Sequence, residues 1–176
     1  MTTKIHKLFF VWDFDKEEQW INDMSAMGMQ LIEIGFCTYV FEDGLPGEYV
    51  YRLELLEKRA SNKSSMDYIE FLKDTGIEFV GSWCRWVYLR KKASDTPFEL
   101  FSDIDSIIKH INTILCLILS LCLLNLTIGI LNVFMGFLTN KLIGSVNIIL
   151  GVASLLGYHT IYMKKCKLHK ERSLHE

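Results

Sequence analysis

Residues 111–140 and 142–163 contain no Asp, Glu, Lys or Arg. A helix crosses the hydrocarbon core of a bilayer with about 20 apolar residues, and only helices and closed barrels satisfy their backbone there. We therefore expect two transmembrane helices, 111–134 and 142–163, joined by a short external turn at 135–141. A soluble protein burying the same two helices, apolar on every side, needs a far larger partner domain to cover them.

Charge divides the chain at the same place. Residues 1–110 carry 19 acidic and 13 basic side chains, whereas residues 111–176 carry 2 acidic and 6 basic. Lys164, Lys165, Lys167, Lys170 and Arg172 follow the second span, Lys109 and the run Arg90, Lys91, Lys92 precede the first, and Lys141 alone lies between the spans. The positive-inside rule then puts both termini, including a basic tail at 164–176, on the cytoplasmic side of a cytoplasmic (inner) membrane. Neither span reads as a signal peptide, because both lie far from the N-terminus. Cys37 and Cys84 fall in a reducing compartment and no CxxC pair occurs, so no disulfide is expected.

Before the spans, one phrase occurs twice: WINDMSAMGMQLIEIG at 20–35 and YIEFLKDTGIEFVGS at 68–82, at a constant offset of 48. Trp20, Ile21 and Met24 match Tyr68, Ile69 and Leu72 as one helical face. Gly28 and Gly76 stand where a helix takes a left-handed C′ residue. Strand-rich sequence follows each glycine, 29–41 and 77–89, and precedes each helix, HKLFFVWDF and GEYVYRLELL. The order reads β-α-β-β-α-β over 5–92, an α+β, ferredoxin-like two-layer domain at 1–95. Its second and fourth strands are apolar on both faces, which leaves Tyr39, Phe41, Trp83, Trp86 and Tyr88 as candidate interface residues on a sheet face without helices. Residues 96–110 read as a juxtamembrane helix or stalk, started by Thr96 and Pro97, with Phe98, Phe101, Ile104, Ile107 and Ile108 at helical spacing.

Within the spans, Asn125, Gly129, Asn132 and Gly136 share one face of the first helix, and Gly144, Asn147 and Gly151 share one face of the second. Small residues allow close approach and Asn can bond across a contact, so these faces are expected to meet. No ionisable residue lies at mid-membrane, which argues against a channel or transporter.

Catalytic patterns are lacking. The five histidines form no zinc-spaced set, and there is no P-loop, GxGxxG or GxSxG. Asp13, Asp15, Glu17 and Glu18 cluster at a helix start, where carboxylates ordinarily serve as caps and dipole partners. We expect no enzyme, no cofactor and no metal. An acidic domain whose third strand, YVYRLELL, lacks the base-stacking pattern of RNA-binding sheets implies no nucleic acid.

The run FFVWDFDKEEQWINDMSAMGMQLIEIG, then YVFEDG, GEYVYRLELL and YIEFLKDTGIEFVGSWCRWVYLRKK, resembles the bacterial membrane-linked family filed as domain of unknown function 2812, over about residues 5–110. The resemblance implies no established reaction and therefore no catalytic residues. Members often stand beside PadR-like regulators, which implies a regulated role in envelope stress or drug response. Trp20, Gly28, Tyr51, Arg52, Trp83 and Trp86 are its pattern positions, for which structural roles suffice. The combined expectation is a membrane-anchored sensor or adaptor acting through protein contacts: its partners are the bilayer, a protein and a second copy of itself. The alternative is a module that senses a small ligand on the open sheet face, and the third reading is a membrane-associated enzyme.

Overall fold

Each copy of the repeated phrase folds as strand, helix and hairpin. The computed structural model describes residues 1–94, 97–100, 104–135 and 138–175. Its first module comprises β1 (Thr2–His6), α1 (Phe14–Ala26), β2 (Met29–Gly35) and β3 (Thr38–Asp43). The second comprises β4 (Tyr49–Leu55), α2 (Lys63–Asp74), β5 (Glu78–Trp83) and β6 (Trp86–Lys92). Shifting the first by 48 brings each element within one residue of its counterpart.

The strands form two antiparallel sheets, β1-β3-β2 and β4-β6-β5. The fold is mixed α+β, but the single four-stranded ferredoxin-like sheet expected from the sequence is replaced by two three-stranded ones. The cause is a pair of tight turns inside segments that read as unbroken strands. Gly35 pairs with Thr38 across Phe36 and Cys37, and Trp83 pairs with Trp86 across Cys84 and Arg85. Cys37 (φ 48) and Cys84 (φ 56) supply the left-handed conformation usually given to Gly or Asn, so no turn residue announces either hairpin. Both hairpins also carry a register shift at matching positions, between Leu31 and Glu33 and between Phe79 and Gly81. A bulge shifts the alternation of side chains, so faces counted straight along either segment do not persist.

α1 crosses from its own sheet to β4. Along it, Phe14, Glu17, Ile21, Met24 and Ser25 are buried, and Ile21 and Met24 share a core with Leu31, Tyr39, Phe41, Tyr51, Leu53 and Tyr88. β4 is an edge strand, and unpaired edge groups are a liability that proteins cover. α1 covers this edge with side chains: Asn22 accepts from the Tyr51 amide (2.8 Å) and donates to its carbonyl (3.0 Å), while Glu18 accepts from the Leu53 amide (2.8 Å). The Tyr51 hydroxyl in turn accepts from the Leu31 amide (3.0 Å), which ties the two sheets together.

Gly28 (φ +85) and Gly76 (φ +81) end α1 and α2 in the left-handed region, as the repeat implied. Their surroundings differ. A Cβ on Gly28 would meet the Gly44 carbonyl oxygen at 3.0 Å, whereas one on Gly76 meets nothing within 4 Å. Gly76→Ala should therefore cost about 1–2 kcal/mol, the left-handed penalty alone, and Gly28→Ala measurably more. Thermal denaturation of the two variants checks the order, and equal losses would overturn it.

A helix was expected to start at Thr96 and Pro97. Thr96 and Phe101 lie outside the described residues, but Pro97, Phe98 and Glu99 carry no helix. Phe98 is buried with Leu56, Ile69, Leu72 and Leu89, and its carbonyl accepts from Arg52 Nε (2.9 Å). That bond and that burial hold the segment in an irregular path.

The chain divides into two units, Met1–Ser102 and Asp103–Glu176. The second is a hairpin of α3 (Ile104–Phe134) and α4 (Leu138–His175), both long and apolar enough to cross a membrane. Gly129, Gly144 and Gly151 are buried where the helices meet, and a Cβ on any of them would collide with the opposite helix. Asn125 and Asn132 bond back to Leu121 and Ile128 of their own helix, and Asn147 is half-buried. Gly136 lies outside the described residues.

Candidate functional site

The N-terminal turn of α1 and both hairpin tips enclose a cavity of about 220 Å³. Residues 7–11 close one side, Phe14 and Glu17 come from α1, residues 35–37 and Tyr39 from the first hairpin, and Trp83, Trp86 and Tyr88 from the second. Phe14 stacks on Trp86 with ring centroids 5.5 Å apart, and Phe36 meets Trp83 at 5.5 Å. At the mouth, Leu8, Phe10, Phe36 and Trp83 are exposed. The walls are thus aromatic, and the floor holds one carboxylate.

Glu17 is 9% exposed. Both tyrosine hydroxyls donate to its Oε1, Tyr39 at 2.6 Å and Tyr88 at 2.5 Å. Burial raises the Glu17 pKa above its ordinary value, and the two hydrogen bonds pull it down by less. Burial and the adjoining carboxylate raise both tyrosines well above their ordinary value, so they keep their protons and remain donors. Oε2 receives no protein hydrogen bond, yet among the described residues no buried side-chain oxygen is left unsatisfied. Oε2 is therefore not sealed off from solvent, and Glu17 lines the cavity.

Among the described residues, no cation pairs with this carboxylate. Lys7, the one basic residue on the cavity wall, places its Nζ over the rings of Trp20 (4.4 Å) and Phe9 (4.9 Å). The neighbouring acids have other partners: Glu18 binds Arg52 (3.2 Å) and Asp13 binds Lys16 (2.5 Å). Among the described residues, no group of three or more His, Cys, Asp or Glu is arranged to hold a metal ion.

Four of the five candidate interface residues, Tyr39, Trp83, Trp86 and Tyr88, line this cavity, and the fifth, Phe41, is fully buried against Trp20. Of the family-pattern residues, Trp20 packs beside the cavity on Tyr39 and carries Lys7. Gly28, Tyr51 and Arg52 hold the fold elsewhere. Sequence reasoning set Glu17 aside as one of four acids at a helix start, and it did not single out Phe9, Phe10, Phe14 or Lys7 as site residues. For Glu17 a signal existed: it lies one helical turn before Ile21, on the stripe that the helix buries.

Fold and site define a two-module α+β unit with an acid-floored aromatic cavity, followed by an apolar helical hairpin. The chain belongs to the family described as "Protein of unknown function (DUF2812)", whose profile matches residues 13–123. No curated protein and no solved structure matches it.

Proposed function

We propose that the protein is a membrane-anchored sensor whose α+β unit takes a small molecule into the cavity between the hairpin tips. Glu17 carries this reading: a buried carboxylate that lines a cavity without a paired cation costs the fold stability, and such groups mark candidate functional sites. Ligand sites are typically apolar concavities with a few polar groups fixing orientation. At about 220 Å³ the cavity is smaller than most drug sites and suits one ring with a head group. In this reading α3 and α4 anchor the unit in the cytoplasmic membrane with both termini inside, in keeping with the basic residues that flank the spans. The adaptor reading draws on the exposed rim, where Phe36 is 68% and Trp83 42% accessible.

The test uses full-length protein in lipid nanodiscs and a library of small aromatic compounds, scored by thermal midpoint and tryptophan fluorescence. A binder of native protein raises the midpoint, and Trp83→Ala, a rim change, should weaken the shift. If no compound moves the midpoint and a stoichiometric protein partner co-purifies, the adaptor reading replaces this one.

A further inference from the structure

The internal repeat isolates what is special about this cavity. At the offset of 48, Glu17 of α1 corresponds to Ser65 of α2, whose hydroxyl lies 3.4 Å from the Lys58 carbonyl oxygen. Tyr39 corresponds to Val87, which is fully buried in the second core. The second module thus completes its fold at these positions without a buried acid or a phenol, so the fold itself does not require them. The second module's own buried carboxylate, Glu54 of β4, accepts from Tyr68 (2.9 Å) and does not line the cavity.

Resting on the ligand-binding reading, we infer that the cavity selects a lipophilic organic cation, with the Oε2 edge of Glu17 as its counter-charge and the surrounding rings as its cage. Three observations converge on that chemistry. Tyr39 and Tyr88 spend both their donors on Oε1, which fixes the carboxylate plane and leaves the other oxygen as an acceptor without a donor. An anion would face this acceptor directly. Phe9, Phe14, Trp86 and Tyr39 line the same cavity as Glu17, and aromatic cages around a quaternary ammonium are an established use of ring quadrupoles. The protein already seats an ammonium group on rings at the cavity wall, since Lys7 lies over Phe9 and Trp20. Lys7 is held there by those rings and makes no ion pair with Glu17, so the carboxylate is available to a second cation.

The experiment uses full-length protein in nanodiscs and three probes of one shape: benzyltrimethylammonium, the uncharged isostere neopentylbenzene, and the anion benzylsulfonate. Their affinities are compared for the native protein, Glu17→Gln and Lys7→Gln. The cation should bind at least about tenfold more tightly than the neutral isostere, the size of a partly desolvated cation–π and charge interaction. Glu17→Gln should sharply reduce that preference, leaving only the contribution of the rings, without lowering the thermal midpoint, and Lys7→Gln should keep or enlarge it. Equal affinities for cation and isostere would overturn the cation inference while leaving the cavity a ligand site. Tightest binding of the anion, lost in Lys7→Gln, would overturn it in favour of Lys7 as anchor. No binding of any probe would overturn both readings.

Discussion

Glu17→Gln should stabilise the α+β unit at neutral pH by about 1–3 kcal/mol, which raises its thermal midpoint by roughly 5 °C for each kcal/mol in a unit of this size. The amide oxygen can still accept from Tyr39 and Tyr88, so the hydrogen bonds to Oε1 survive while the buried charge is removed. The pH dependence has a definite sign. The folded-state pKa of Glu17 lies above its ordinary value of 4.5 because of burial, so between those two values the folded protein binds more protons than the unfolded chain. Stability therefore falls as pH rises through the folded pKa and is regained as pH falls toward 4.5. Tyr39, Tyr88, Lys7 and Cys37 are the titratable groups that face Glu17 or share its cavity, and the tyrosines stay protonated throughout this window. Glu54, raised by burial and lowered in lesser measure by its bond from Tyr68, adds a part of the same sign that persists in the variant. Melting curves of full-length protein between pH 5 and 8 (about the range in which such groups matter) check this. A lower midpoint for Glu17→Gln at neutral pH would mean that the fold gains from the charge, and the cavity would lose its claim as a ligand site.

The gain expected from Glu17→Gln states in energetic terms why the acid is a functional candidate: sites retained against stability are where function is found. It also shows where sequence reading stopped. The helices of both modules were legible because Trp20, Ile21, Met24 and their partners at the offset of 48 repeat an apolar face, and because Gly28 and Gly76 mark its end. The hairpins were not. Strand signals at 29–41 and 77–89 run without a break through Phe36, Cys37, Cys84 and Arg85, and the left-handed residue in each turn is a cysteine. Once those turns are missed, six strands become four, and side-chain alternation carried past them, or past the bulges after Leu31 and Phe79, assigns faces that the sheets do not keep. Tyr39, Phe41, Trp83, Trp86 and Tyr88 stood out by type, but only the folding of both hairpin tips toward α1 brings four of them together with Phe14 around one carboxylate. Glu17 itself was hidden by company: among Asp13, Asp15 and Glu18 it reads as one more acid at a helix start. Adjacent positions on a helix point about 100° apart, so Glu18 reaches Arg52 and the edge of β4 while Glu17 turns inward.

In the helical unit the largest expected effect is that of Gly144→Leu. A Cβ at Gly144 would stand 2.7 Å from the Gly129 carbonyl oxygen and 3.0 Å from the Val133 amide nitrogen, both backbone atoms of α3. Backbone cannot step aside as a side-chain tip can, so the helices must separate along this stretch, and the contacts around Gly129 and Ile148 open with them. In an apolar solvent there is no hydrophobic force to restore the contact, because lipid covers the exposed faces equally well and close packing is the main attraction between helices. The loss should be about 3 kcal/mol, at the upper end for overpacking. Ser145→Leu is the matched control: one residue on, exposed, with its hydroxyl bonded back to Lys141 of its own helix at 2.8 Å. Helical circular dichroism during thermal unfolding of full-length protein in micelles should show the upper transition lowered in Gly144→Leu and unchanged in Ser145→Leu. Equal transitions in the two variants would mean that α3 and α4 do not meet on the glycine face, and Gly129 and Gly151 would then lose their packing role as well.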